Sequence, residues 1–125
     1  MTFAFWCVLA AAFLPYITVA FGKRDRTYDN RAPRDWEHKL DGLKRRAVAA
    51  HHNHFEAFAP FAAAVIIARI AQAPQDRVNA LAAAFIVLRI AYTWAYLADR
   101  PGLRSLLWGL GFACVVAIFI AAAMH

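Results

Sequence analysis

Cysteine, glycine and acidic residues are all scarce in this sequence. Its 125 residues include two cysteines, five glycines, and eight Asp and Glu against fourteen Lys and Arg. Cys7 and Cys114 lie in separate apolar stretches, so the sequence indicates no disulfide framework. It also has no glycine-rich phosphate loop, no Ser-His-Asp arrangement and no pair of catalytic carboxylates. A disulfide-rich secreted domain, a nucleotide-binding protein and the common hydrolases are therefore disfavoured.

Charge is missing from four long stretches of the chain, at 3–21, 57–68, 78–88 and 105–124. The chain is 62% hydrophobic with a mean hydropathy of +0.44, more than the core of a soluble domain of this size requires. A soluble helical bundle would need polar outer faces, which the first and last stretches lack. Extended to their polar edges, the stretches reach the roughly 20 residues that span a bilayer. The sequence predicts an all-α integral membrane protein, a single bundle of four transmembrane helices near 3–21, 47–72, 77–98 and 103–124.

The basic residues predict which side of the membrane each loop faces. Nine of the fourteen Lys and Arg lie between Lys23 and Arg46, within a predicted polar loop at 22–46. Because cytoplasmic loops accumulate Lys and Arg, we expect this loop in the cytoplasm and both termini on the outer side. Topology and attraction to anionic membrane lipids then explain the net charge of +6, and no nucleic-acid-binding motif accompanies it. The short chain and the lack of a targeting segment favour a bacterial inner membrane, with both termini periplasmic.

Two ionisable residues fall inside the predicted spans. Glu56 and Arg89 each lie about nine residues from the cytoplasmic end of their helix, which places both roughly 13 Å deep. An unpaired charge near mid-membrane costs about 2.5–3.5 kcal/mol, so we expect these two residues to form an ion pair. Such a pair alone fits a structural link between two helices as well as it fits a ligand site.

Donor-rich side chains near this pair favour the ligand site. They are Asn53, Tyr92 and Tyr96 on the same helix faces, and Arg46, Arg100 and Arg104 at the cytoplasmic rim. This set exceeds what a structural link between two helices requires. It predicts a polar funnel for a small, multiply charged anion that enters from the cytoplasm.

Three histidines precede the first apolar run of the second predicted helix. His52 and Glu56 are spaced four residues apart, but His51 and His54 lie at other angles around the helix and no third ligand converges. We therefore predict no metal site. The histidines are expected at the cytoplasmic mouth of the funnel, with His52 in contact with a carboxylate of the ligand.

The polar residues, together with two neighbouring apolar ones, form a pattern that resembles a known family. The pattern consists of Arg46, His51, Asn53, Glu56, Pro60, Phe61, Arg89, Tyr92, Tyr96, Arg104 and Ser105. It is similar to the MAPEG proteins, the membrane-associated proteins in eicosanoid and glutathione metabolism, over about residues 46–108. Each part of the pattern is weak alone, and the combination with four apolar helices is specific.

The resemblance implies a homotrimer that binds glutathione between neighbouring subunits near the cytoplasmic surface. Together with the funnel, it gives the expected cofactor-binding residues Arg46, His52, Asn53, Glu56, Arg89, Tyr92 and Tyr96. It also implies that Arg104 stabilises the glutathione thiolate, and that Ser105 is a second catalytic residue. The thiolate is the nucleophilic form of a thiol, and an adjacent guanidinium favours it.

Three positions depart from the family pattern. Ala49 stands where eicosanoid-forming members usually have an arginine, His52 stands where some members have another arginine, and Trp108 replaces a tyrosine one turn beyond Arg104. Two functions follow from these features. The retained polar cluster favours a glutathione-dependent transferase or peroxidase acting on lipophilic electrophiles, whereas the departures favour a non-enzymatic accessory or structural membrane protein. We prefer the enzyme.

Overall fold

The described part of the chain forms four long helices, of which the last three are joined by short turns. The computed structural model describes residues 1–23, 31, 32, 34 and 42–125, with the backbone alone for 21–23. The helices are α1 (Phe3–Lys23), α2 (Gly42–Ile70), α3 (Gln75–Leu97) and α4 (Pro101–Ala123). Most of the predicted cytoplasmic loop at 22–46 lies outside the described residues.

The second helix begins earlier than the sequence predicted. It starts at Gly42 and not near 47, and its first turns carry the polar residues Lys44, Arg45 and Arg46. The prediction placed these residues in the loop, because it took the length of the apolar stretch as the length of the helix. Lys and Arg are good helix formers, so the helix continues past the apolar stretch to 29 residues. Its length is roughly 43 Å, more than a bilayer core needs.

The turns after α2 and α3 share one geometry. Gln72 and Asp99 both have φ of 58°, in the left-handed region. The N–H of Ala73 donates to the carbonyl of Ala68 at 3.0 Å, and the N–H of Arg100 donates to the carbonyl of Ala95 at 2.9 Å. These bonds end each helix in a Schellman motif, which reverses the chain within a few residues. Consecutive helices from α2 onward are therefore antiparallel neighbours.

Glycine at position 72 should stabilise the protein. A side chain in the left-handed region costs about 1–2 kcal/mol, which exceeds the roughly 0.5–1 kcal/mol of extra chain entropy that glycine loses on folding. We expect Gln72→Gly to raise the free energy of unfolding by about 0.5–1 kcal/mol, measured by thermal melting in detergent. Gln72→Ala is the matched control because it keeps the Cβ atom. An equal gain from alanine would show that backbone conformation is not the cause.

The two inner helices of the bundle are α2 and α3. Helix α1 packs on both, α4 packs on both, and α2 and α3 contact each other across the middle. Phe61 of α2 stacks on Phe85 of α3 with ring centroids 4.0 Å apart. Fully buried alanines flank this stack and allow close approach of the helices, among them Ala64, Ala68 and Ala82. Polar side chains on the inner faces of α2 and α3 therefore meet inside the bundle.

The outer faces of the bundle are apolar. Large side chains such as Phe13, Val87 and Ile120 are more than half exposed. Among the described helices, three are long and apolar enough to cross a membrane, in the segments Phe3–Ala20, Gln75–Leu97 and Pro101–Ala123. Helix α2 is not among them, because Glu56, Arg69 and the histidines lower its hydropathy. The span predicted at 47–72 therefore remains a prediction, although α2 packs within the same bundle.

Two polar side chains fix α1 to the inner helices. His51 of α2 donates its Nδ1–H to the carbonyl oxygen of Pro15, at 2.6 Å. Asn79 of α3 accepts the backbone N–H of Ala4 at 3.0 Å and so satisfies a donor at the start of α1. His51 therefore lies between two helices and not at an open mouth.

Candidate functional site

Arg89 lies in the middle of the bundle, and its hydrogen-bond partners among the described residues are neutral. Its side chain is 2% exposed, on the face of α3 that meets α2. Nη2 donates to Asn53 Oδ1 at 2.8 Å and to His54 Nδ1 at 2.9 Å, and Nε lies 3.3 Å from the same nitrogen. An amide oxygen and an imidazole nitrogen thus receive the hydrogen bonds that a carboxylate would usually take.

His54 completes a closed ring of hydrogen bonds. Arginine is only a donor, so His54 Nδ1 is the acceptor and the imidazole carries its proton on Nε2. That Nε2–H donates to Thr93 Oγ1 at 2.8 Å, and the Thr93 hydroxyl donates to the carbonyl oxygen of Arg89 at 2.9 Å. His54 is therefore a neutral imidazole with both nitrogens satisfied, and its side chain is 3% exposed.

A mainly apolar cleft opens beside Arg89. It has a volume of ≈ 130 Å³ and is lined by Glu56, Ala57, Pro60, Phe85, Arg89, Trp108, Gly111, Phe112 and Val115. Arg89 Nη1 makes no hydrogen bond to any described residue. A positively charged guanidinium thus lies in the wall of a mainly apolar cleft, whose other charged lining residue is Glu56.

A second cleft lies nearer the start of α4. It also measures ≈ 130 Å³ and is lined by Tyr92, Arg104, Ser105 and Trp108. Trp108 belongs to both clefts, so the two adjoin along α4. The two adjoining clefts, together called the groove below, each have an arginine in their lining, Arg89 in the first and Arg104 in the second.

Aromatic rings connect the two arginines of this groove. The Cζ atom of Arg89 lies 4.2 Å from the ring centroid of Tyr92, and that of Arg104 lies 4.4 Å from the ring centroid of Tyr96. The two tyrosine rings meet edge to face at 5.7 Å. These cation–π and ring contacts hold both guanidinium groups without a carboxylate, so neither charge is neutralised by them.

The comparison with known families agrees with this architecture. The model of the MAPEG family matches residues 3–124, nearly the whole chain. The chain belongs to the MAPEG family. Membership, together with the long apolar helices, confirms the predicted all-α membrane bundle. The MAPEG family includes glutathione transferases and peroxidases as well as other members. Searches of curated proteins and of solved structures found no match.

The MAPEG fold gathers most of the residues that the sequence singled out. Those at the two clefts or in contact with their lining are Asn53, Glu56, Arg89, Tyr92, Tyr96, Arg104 and Ser105. Arg46 does not line these clefts, and its Nη2 donates to the carbonyl of Leu97 at 3.4 Å. His52 is exposed and does not line them either.

The predicted ion pair between Glu56 and Arg89 is wrong for this subunit. Arg89 is bound by Asn53 and His54, and the carboxylate of Glu56 is exposed at the rim of the first cleft. The prediction rested on equal depth in the membrane, which says nothing of the angle at which each side chain leaves its helix. Glu56 lies about 160° around the helix from His54 and about 60° from Asn53. It therefore lines the cleft beside Arg89 but does not take part in the contact between α2 and α3 where Asn53 and His54 bind the guanidinium.

His54 is the residue of this MAPEG site that the sequence argument missed. It was grouped with its neighbours as an interfacial histidine, yet it is buried at the centre of the bundle. A signal was present in the spacing of the buried stripe of α2, which comprises Ala47, Ala50, His54, Phe61, Ala64 and Ala68. Steps of three, four and seven residues define one helix face, and only position 54 on this stripe is polar. That periodicity separates His54 from His52.

Proposed function

We propose that this protein is a glutathione-dependent transferase or peroxidase that acts on lipophilic electrophiles within the membrane. The observation that carries the proposal is Arg89, a buried cation held by neutral groups beside a cleft. An unpaired charge near mid-membrane costs about 2.5–3.5 kcal/mol, and ionisable residues kept at such a cost mark functional sites. A bound anion would offset that cost.

Glutathione matches the charges along the groove. It has two carboxylates, an ammonium group and a thiol. Arg89 suits a carboxylate, and Glu56 at the rim of the same cleft suits the ammonium group. Family membership supports glutathione as the co-substrate, since MAPEG proteins generally involve it.

Arg104 is placed to activate the thiol. It lines the second cleft together with Ser105, and its guanidinium has no carboxylate partner among the described residues. A positive charge beside the sulfur favours the thiolate, the form that attacks an electrophile. In conjugation, the sulfur forms the new C–S bond while the leaving group departs with its electron pair. The apolar walls formed by Phe85, Phe112 and Val115 suit a lipophilic electrophile.

Glutathione binding tests the function directly. Calorimetry on the purified protein in detergent should show heat, and glutathione should raise the melting temperature. No heat and no thermal stabilisation at millimolar glutathione would favour the alternative, a non-enzymatic accessory or structural member of the family. The features that favour this alternative are Ala49, which lacks a cation, and Trp108, which replaces a tyrosine of the family pattern.

The depth of the first cleft provides a test of substrate access. A Cβ atom on Gly111 would lie 3.9 Å from Arg89 Cδ and from the Phe85 ring, whereas one on Gly109 would have no neighbour within 4 Å. We expect Gly111→Leu to fill the cleft and lower kcat/KM for a bulky lipophilic electrophile by about tenfold or more. Gly109→Leu, two residues away, is the matched control. Equal effects at both positions, or none, would place the electrophile elsewhere.

We further propose a homotrimer in a bacterial inner membrane, with both termini in the periplasm. Glu56 is exposed on the surface of the single subunit, at a predicted depth where lipid is a poor solvent for a carboxylate. We therefore expect a neighbouring subunit to cover Glu56. The orientation rests on the excess of basic residues between Lys23 and Arg46.

A cysteine introduced at Asp29, within the predicted cytoplasmic loop, should resist an impermeant thiol reagent applied to intact cells. Labelling from outside would reverse the orientation.

A further inference from the structure

We propose that His54 is a positioning residue which holds Arg89 in place while leaving its positive charge available to a bound anion. The inference rests on the proposed function, because it explains how the arginine of that site is made ready for a carboxylate. It goes further because it assigns the readiness of Arg89 to His54, a residue that contacts Arg89 and not the ligand. It also attributes that effect to the neutral charge of the imidazole.

The geometry makes His54 a hydrogen-bond acceptor that does not neutralise the positive charge of Arg89. Its Nδ1 lies 2.9 Å from Nη2 and 3.3 Å from Nε of Arg89, so one ring nitrogen fixes one edge of the guanidinium. A carboxylate at this position would accept the same bonds and cancel the charge. A neutral imidazole accepts them and leaves the charge in place.

Thr93 keeps the imidazole in this form. Its hydroxyl accepts the Nε2–H of His54 and donates its own proton to the carbonyl oxygen of Arg89, one helical turn earlier. The hydroxyl proton is thereby committed to the backbone, so Oγ1 faces His54 as an acceptor. The pair therefore selects the tautomer with a free lone pair on Nδ1, which is the one that Arg89 requires.

Among the residues that the structure describes, no acidic side chain takes this role. Glu56 is exposed at the rim of the cleft and forms no ion pair with Arg89, and Asn53 supplies only an amide oxygen. With Nε and Nη2 bonded to His54 and Asn53, Nη1 is the group without a bond to any described residue. An oriented and unneutralised guanidinium beside a cleft is an anion site that binds without rearrangement.

The matched variants His54→Asp and His54→Asn test the inference. They have the same shape and place an oxygen near the position of Nδ1, but only aspartate brings a negative charge. Without ligand, His54→Asp should melt at a higher temperature than His54→Asn, because the carboxylate compensates a buried cation. With reduced glutathione in calorimetry, His54→Asp should bind about tenfold or more weakly than His54→Asn. In the transfer assay the loss should appear in KM for glutathione more than in kcat.

Two results would overturn the inference. One is that His54→Asp melts no higher than His54→Asn, which would mean that the charge of Arg89 is already compensated. The other is that the two variants bind glutathione equally, which would mean that the charge does not act on the ligand. If the wild-type protein binds no glutathione, the proposed function fails, and the melting comparison alone then decides the inference. If His54→Asp does not fold, Asn53→Asp takes its place, because Asn53 Oδ1 lies 2.8 Å from the same Nη2 of Arg89. Asn53→Asp is then expected to melt at a higher temperature than the wild type.

Discussion

Replacing Arg104 by leucine should slow glutathione transfer on the order of 10- to 1000-fold and leave the melting temperature of the protein nearly unchanged. The loss of rate follows from removing the charge that favours the thiolate. Stability should change little because Arg104 is half-buried in the first turn of α4 and contacts Tyr96 only through its ring. A cation is also poorly placed at a helix N-terminus, so its removal offsets the lost ring contact.

Arg100→Leu is the matched control for this experiment. Arg100 lies at the same end of α4, exposed and 5.6 Å from the ring of Trp94, and it lines neither cleft described above. Turnover with a chlorodinitrobenzene should therefore remain near that of the wild type. Wild-type rates in both variants would reduce Arg104 to an anchor at the membrane surface. Equal losses in both would point to a general effect of positive charge on glutathione recruitment.

Replacing Arg89 by methionine should abolish measurable glutathione binding while changing stability little. The substitution removes a cation whose burial costs about 2.5–3.5 kcal/mol. It also leaves the acceptors Asn53 Oδ1 and His54 Nδ1 without a donor, at about 1–3 kcal/mol each. These opposing contributions are of similar size. An ion pair with Glu56 would instead cost about 3–5 kcal/mol when broken. Calorimetry for binding and thermal melting for stability check both parts.

The combination of Arg89→Met with Glu56→Gln distinguishes these two accounts. Because the residues do not meet in the subunit, their effects on the free energy of unfolding should add to within about 0.5 kcal/mol. A coupling energy well above that value would restore the ion pair, either within the subunit or across a subunit boundary. Glutathione affinity is expected to fall in both single variants, since both side chains line the same cleft.

The sequence was sufficient to predict four helices, apart from the early start of α2, but not the partners of their polar side chains. Apolar length and turn position determine where a helix lies in the membrane, and these follow from composition. The partner of Arg89 depends on the angle at which α2 faces α3, and that angle is decided by packing such as the stack of Phe61 on Phe85. Depth alone therefore favoured Glu56, and packing selected Asn53 and His54.

Three histidines that lie close together in the sequence also show that composition does not predict the partners of a side chain. His51, His52 and His54 look alike as a group of polar residues before an apolar run. In the fold, the first donates to the carbonyl of Pro15, the second is exposed and the third holds Arg89. Composition treats them as one feature, whereas the 100° step between helical residues sends each to a different environment.

The modest hydropathy of α2 bears on how the protein enters its membrane during synthesis. Helices α1, α3 and α4 are apolar enough to partition into lipid individually, whereas α2, if it spans the bilayer as predicted, takes Glu56 and several other polar side chains with it. Burying those groups alone is unfavourable, so α2 needs a companion at the moment of insertion. Helix α1 precedes it in the chain and offers the carbonyl of Pro15 to His51. We therefore expect the first two helices to insert together as a hairpin, and a chain lacking α1 to leave α2 at the membrane surface.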